Sequence, residues 1–371
     1  MNEQQKQTEN QVTSAIGFPC PQCGAQSVYD PKLDALFCSY CQTTQKIESK
    51  VIEAPEYLFF PDEDRFDAPA WEDVGNRHMV CSSCGADISV SAATVTTSCP
   101  FCGGTYVTES EADESLIRPE TMIPFRISED EAKSLYSRWA KKKMFAPSAY
   151  RRASQKTPDV KGVYIPHFTF DCDLSTSYTG QGGHDRTVVY TVRVNGKTET
   201  RTRIVTDWYP IVGAEQLYFD DYAFCASKKI DRELLEKVGP FNMKMLNVYN
   251  PAYLAGFFAE RYDRGLSEGF ASIKPKFERD MEYHIQRVRG FDHYRFMSYT
   301  HLYNSVRFKH ILLPVFMSAF SYKNKSYPFF VNGESGRVAG KSPVSPLKVA
   351  LAVALGLGIS ALLIFLMQIA R

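Results

Sequence analysis

The sequence predicts an α+β protein built from two small four-cysteine zinc ribbons, a mixed, mainly antiparallel α+β domain and one C-terminal transmembrane helix. Three observations predict it. Eight of the ten cysteines form one frame used twice, the middle of the chain alternates between β-forming and helical stretches, and a continuous apolar run closes the sequence. The 371 residues and 44% hydrophobic content suffice for a sizeable core and exclude a disordered tail or a disulfide mini-protein. The expected division is a disordered N-terminus over 1–15, ribbons over 16–46 and 77–110, and an acidic-aromatic linker over 47–76. The α+β domain follows over 115–340, then a linker over 341–348 and the transmembrane helix over 349–369.

The first ribbon is read from Cys20-x2-Cys23 followed after 14 residues by Cys38-x2-Cys41. The second repeats it as Cys81-x2-Cys84 and Cys99-x2-Cys102, every cysteine recurring at an offset of 61. Paired knuckles at this spacing are ligand sets for two tetrahedral zinc ions, although iron suits an all-thiolate site equally well by its chemistry. Redox chemistry would instead place Cys-x-x-Cys beside a βαβ pattern, which is absent. With four cysteines on each ion there is no open position for water or substrate, so both ions are structural. Gly24, Gly85 and Gly103 follow the second cysteine of a knuckle, where the turn needs positive φ; Gln42 departs from that pattern.

Charge narrows the partner. Met1 to Glu114 holds 6 basic and 18 acidic residues, leaving the remainder with 37 and 24. Phosphate binding needs clustered Lys and Arg, so the acidic ribbons favour protein partners over nucleic acid. Between them Tyr57, Phe59, Phe60, Phe66 and Trp71 alternate with acids such as Asp62, Glu63, Asp64, Asp67, Glu72 and Asp73, and these aromatics are expected to pack on the ribbons or to dock on a basic surface.

In the middle domain Ser128-Glu129-Asp130-Glu131 has the form of a capping box opening a helix that ends near Lys141-Lys142-Lys143. Alternation from Val163 to Phe224, with Asn195-Gly196 as a turn, predicts a hairpin. Helical periodicity returns over Asp231 to Val238 and Ala252 to Val288, and strands are expected over Ile311 to Phe320 and Tyr327 to Val338 around an Asn332-Gly333 turn. Gly265-x-Ser267-x-Gly269 imitates a nucleophile elbow, but the polar residues before it read Gly265 as a helix stop and Ser267 as a cap. Gly336 to Ser342 is one residue short of a phosphate-binding loop. The seven histidines show no ligand spacing, and Cys172 and Cys225 read as ordinary small side chains, so no catalytic residue is assigned and no enzyme is expected.

From Val349 to Met367 there are 19 residues without a charge, enough at about 1.5 Å each to cross a bilayer core of about 30 Å. Lys341 and Lys348 precede the run and Arg371 follows it, which favours a cytoplasmic body. Ala350, Ala354 and Gly358, and likewise Ala352, Gly356 and Ser360, recur every four residues; such small faces admit a second helix and so a homo-oligomer. Lys141, Lys142, Lys143, Arg151 and Arg152 are candidates for a basic face near an anionic leaflet.

Several motifs resemble a largely uncharacterised family of bacterial proteins with N-terminal transcription-factor-IIB-type zinc ribbons and, in some members, a C-terminal membrane helix. They are Cys-Pro-Gln-Cys-Gly at Cys20 to Gly24, Cys-Pro-Phe-Cys-Gly at Cys99 to Gly103, Ile-Pro-Phe-Arg-Ile at Ile123 to Ile127 and Gly-Val-Tyr-Ile-Pro at Gly162 to Pro166. The family's aromatic after Ile-Pro is His167 here. The resemblance implies an adaptor at the cytoplasmic membrane that recruits protein partners, including phage-shock-type stress proteins. The family's other description, primosomal or helicase-like, makes a membrane-tethered nucleic-acid-binding protein the alternative.

Overall fold

The computed structural model describes residues 18–48, 55–61, 63–68, 76–91, 99–102, 107–110, 116–153, 160–194, 196–322 and 325–369. The segment 1–15 and the residues Asp62, Trp71, Glu72, Asp73, Gly103, Asn195 and Arg371, all used above, lie outside them. The protein is α+β with mostly antiparallel pairing, as the sequence predicts. The strands β1 (Val28–Asp30), β2 (Ala35–Phe37) and β3 (Thr44–Lys46) form a small sheet around the first cysteine frame.

The other strands join, among the described residues, in one thirteen-stranded sheet. They are β4 (Tyr57–Phe60), β5 (Arg65–Phe66), β6 (Asn76–Cys81), β7 (Asp87–Ser91), β8 (Val107–Ser110) and β9 (Thr121–Met122). After helices α1 (Glu129–Lys141) and α2 (Ser148–Ala153) come β10 (Lys161–Val194), β11 (Lys197–Cys225), α3 (Arg232–Val238), β12 (Asn247–Val248) and β13 (Phe258–Glu260). Helix α4 (Leu266–Arg289), β14 (His293–Tyr322), β15 (Lys325–Asn332), β16 (Val338–Gly340) and α5 (Pro346–Ile369) complete the chain.

Strand β10, 34 residues long, is the axis of the sheet. It pairs antiparallel with β11 from His167↔Cys225 to Val194↔Lys197, and with β14 from Lys161↔Met317 to Gly183↔His293. Gly196, at φ 77°, supplies the left-handed residue that the expected two-residue turn requires. The first half of β10 is buried on both faces: Val163 and Ile165 pack towards α3, while Phe168, Phe170, Cys172 and Leu174 face α4. From Asp173 to Thr179 only alternate residues are buried, and beyond Gly183 the hairpin runs on into solvent. Strand β11 pairs with β10 alone among the described residues, so its outer edge is open along all 29 residues.

Helix α4 earns its place through Leu266, Phe270, Ile273, Phe277, Met281 and Ile285, which recur every three or four residues and are all buried. Helix α1 starts on the expected capping box, the Ser128 hydroxyl accepting from the Glu131 amide at 3.3 Å and Glu131 accepting from the Ser128 amide at 2.9 Å. The Asn332 turn is a small hub, its Oδ1 accepting from the amides of Glu334 and Ser335 and its Nδ2 donating to the Val238 carbonyl.

Three sequence readings need correction. The run from Ala252 is not one helix: Pro251–Leu254 is a 3-10 turn and Phe258–Glu260 enters the sheet between β10 and β7. Three residues are too few to distinguish the periods, and here two neighbouring edges decided the matter. Gly265 therefore opens α4 as its N-cap instead of stopping a helix, and Ser267 lies in the first turn with its hydroxyl on Asp64. Among the described linker aromatics, Tyr57, Phe59 and Phe66 pack on the main domain and not on the ribbons. Strand β4 pairs with Val306–Phe308 of β14, and Phe59 is buried among Phe170, Phe270 and Phe308.

Burial also sets the acid response. His167 and His310 are enclosed, with Nδ1 at 3.0 Å from the Ile165 carbonyl and 2.8 Å from the Ile117 carbonyl, and desolvation lowers both to about 4 from an ordinary 6.5. The unfolded chain takes up these protons near pH 6.5, the folded one only near pH 4. Their stabilisation is therefore complete above pH 6.5 and is lost as the pH falls to 4. The thermal midpoint of the detergent-solubilised protein should drop across that window. A His310→Gln variant should show a shallower drop, whatever its baseline, by up to about 3 kcal/mol.

Candidate metal centres

Each cysteine frame closes into one cluster. Cys20, Cys23, Cys38 and Cys41 have sulfurs all within 4.8 Å of one another, and so do Cys81, Cys84, Cys99 and Cys102. None of the eight forms a disulfide. Sulfur–sulfur edges are 3.4 Å for Cys20–Cys41, 3.6 Å for Cys23–Cys38, 3.7 Å for Cys81–Cys102 and 3.7 Å for Cys84–Cys99. A disulfide needs about 2.05 Å, whereas a tetrahedron of sulfurs around zinc at about 2.3 Å has edges of about 3.8 Å. The spacing fits an ion and not a bond. In both clusters the first cysteine of each pair is buried, and Cys23 and Cys102 face outward.

The backbone holds the sulfurs through one repeated turn. The amides of Gly24, Gln42 and Gly85 donate to the carbonyls of Cys20, Cys38 and Cys81 at 2.9, 2.8 and 2.7 Å. The amides of these same three cysteines donate to Ala25, Thr43 and Ala86. The residue after the second cysteine takes φ of 74° at Gly24, 70° at Gly85 and 61° at Gln42. Gln42 thus adopts the glycine conformation despite its side chain, because the two flanking hydrogen bonds of the knuckle fix it there.

Thiol acidity is uneven in the way a shared cation would resolve. The Thr43 hydroxyl, 3.1 Å from Cys41 Sγ, and the Thr43 amide lower Cys41 to about 6. Burial opposes ionisation of Cys81, yet the amides of Cys84 and Ser83 hold it at about 7. Cys23, despite help from the Ala25 amide, is raised to about 12 by its contact with Cys41, and burial raises Cys99. Four thiolates this close repel one another unless a divalent ion sits among them. Both clusters can therefore hold zinc, which would supply cross-linking and leave no open coordination position.

The two clusters are mounted differently. The first is docked by side chains: Tyr29 of β1 stacks edge-on to Tyr253 at 5.0 Å, donates from its hydroxyl to the Phe125 carbonyl and from its amide to the Ala255 carbonyl. Leu36 and Ile47 join the same core. The second is built into the main sheet, since β7 pairs with β13 from Val90↔Phe258 to Ile88↔Glu260. Cys81 and Cys99 share a core with Leu234, Leu235 and Val238 of α3.

Cys172 and Cys225 stay apart from both clusters, and burial pushes each thiol up to about 12. A group that spacing alone did not reveal is the carboxylate set Glu56, Asp171 and Asp220. Lys309 Nζ lies among the acids there, 2.8 Å from Asp221, 3.2 Å from Glu56 and 3.6 Å from Asp171, so its ammonium already supplies the balancing charge. This node ties the approach to β4 onto β10, β11 and β14. Its sequence signal is a lysine inside the apolar run Phe308-Lys309-His310-Ile311.

These features define a class: an α+β protein with two four-cysteine clusters and a C-terminal helix of membrane-spanning length. The chain belongs to the same family as the uncharacterized protein YdjG of Bacillus subtilis strain 168, being 30% identical to it over 347 residues, 90% of this chain and 92% of that one. No family model and no solved structure matches the chain.

The knuckle geometry makes a reciprocal prediction. Gln42→Gly should stabilise the first cluster and Gly24→Ala, where a Cβ meets nothing within 4 Å, should destabilise it, each by about 1 kcal/mol, with metal content unchanged. Chelator competition on the purified protein reads both. Cys38→Ser should lower bound zinc from two ions per chain to one, measured by elemental analysis.

Proposed function

We propose that the protein is a membrane-anchored scaffold with two structural zinc ions in ribbons of the transcription-factor-IIB type, recruiting protein partners at the cytoplasmic membrane face. Helix α5 is 24 residues long with no buried side chain, a length of about 36 Å at 1.5 Å per residue. Lys341 and Lys348 before the span favour a cytoplasmic body. The resemblance to partners of phage-shock-type systems points to envelope stress as the setting.

The observation that carries the reading is Tyr40. It stands between Ser39 and Cys41 at the tip of the second knuckle of the first ribbon and is 82% exposed, with Leu33 of the β1–β2 turn also exposed. A large amphipathic ring held out on a turn that a metal rigidifies is what protein interfaces use as an anchor, because little side-chain freedom is lost on binding. The closed sulfur shells favour such a presenting role over chemistry at the ion.

Tyr40→Ala with Leu33→Ala should leave zinc content and folding unchanged and remove specific co-purifying proteins from nuclease-treated, detergent-solubilised membranes. An unchanged set of partners would remove the first ribbon from recruitment. A set that disappears on nuclease treatment alone would favour the nucleic-acid alternative.

A further inference from the structure

Where α5 leaves the body, the structure fixes which surface meets the lipid. The loop between α1 and α2 is fastened to the first turn of α5 by three hydrogen bonds. The Lys348 ammonium donates to the carbonyls of Ala146 at 2.7 Å and Met144 at 3.3 Å, and the Ser345 amide donates to the Phe145 carbonyl at 2.8 Å. Residues 144–146 therefore lie level with residues 345–348. If the apolar run from Val349 enters the hydrocarbon, this loop sits at headgroup depth, and no freely jointed linker separates body from membrane.

The chemistry of the loop suits that depth. Met144 is 71% exposed and Phe145 46%, beside the equally open Val344 and Leu347 on the approach to α5. Apolar side chains projecting from a turn are costly in water and favourable at the acyl boundary. Around them, Lys141 to Ala153 contains Lys141, Lys142, Lys143, Arg151 and Arg152 and no acidic residue, and Lys341 to Lys348 contains none either. Lys141 and Lys142 are exposed, and Lys143 lies over the Trp139 ring at 4.2 Å. The basic cluster also falls at the C-terminal end of α1, where the helix dipole favours it.

We propose that the α1–α2 loop is a second membrane contact, in which Met144 and Phe145 enter the interface and Lys141, Lys142 and Arg152 bind anionic phospholipid headgroups, holding the body in one orientation against the leaflet. The inference rests on α5 spanning a bilayer. An anionic leaflet is the fitting occupant because continuity with the anchor brings it there and because the exposed Lys141, Lys142 and Arg152, in a segment without acids, complement its charge.

The test uses the full chain in nanodiscs of phosphatidylcholine alone or with a fraction of phosphatidylglycerol, read by hydrogen exchange. Amides of residues 142–152 should exchange several-fold more slowly with anionic lipid, and high salt should abolish the difference by screening. Lys141→Glu with Lys142→Glu should abolish it at low salt, while exchange in β10 and β14 stays unchanged and shows an intact fold. Equal exchange of 142–152 in the two lipids, with α5 protected in both, would overturn the docking while leaving the anchor standing. Rapid exchange along α5 itself would overturn the spanning helix, and the docking with it.

Discussion

The ladder between β10 and β14 is the constraint from which the rest of the molecule hangs. It joins residues about 100 to 160 positions apart in sequence, from Gly183↔His293 to Lys161↔Met317, so a large loop must close before any of its bonds form. Once it is made, its two faces receive α4 and α3, and its edges receive β11, β9, β4 and β13. The ion pairs of Lys309 and the aromatic cluster around Phe308 lie on this ladder, where three separate stretches of chain converge.

The metal clusters extend that logic to segments too small to own a core. The second ribbon borrows the sheet edge at β13 and the apolar side of α3; the first borrows a tyrosine pocket. Zinc in these clusters would do locally what the ladder does globally, tying residues 21 apart such as Cys20 and Cys41 without a large apolar interior. The same knuckle turn at Cys20, Cys38 and Cys81 shows that the backbone is shaped for sulfur ligation.

What was legible in the sequence is what depends on short spacing. The Ser128 capping box, the Gly196 turn and the Asn332 turn are patterns spanning a few residues and the cysteine frame one spanning 22, and each stands where the sequence puts it. What was not legible depends on distant partners. In the segment His293 to Phe308 the alternation is blurred by apolar residues on the open face, Phe296 and Leu302, and its conformation is set by pairing with β10. Phe59 reads as a linker aromatic until Phe308 is beside it. Gly265 can stop or start a helix equally well, and the strand before it decides. The cysteines declare the candidate site on their own, whereas Tyr40 is marked only by exposure, which no local pattern encodes.

The edge of β11 that no other described strand covers has a consequence if α5 holds the protein in a bilayer. Anchoring would confine copies to two dimensions, so their encounters would be far more frequent than in free solution, and a strand of 29 residues paired on one side alone could template sheet growth from one molecule to the next. Pro210 interrupts the edge by withholding one donor near its middle. Lys197, Glu199, Arg201, Arg203 and Asp207 are spaced so that a copy aligned in register would set like charge against like at each of them. The strand is thereby long enough to carry the hairpin away from the body and chemically unsuited to propagate it.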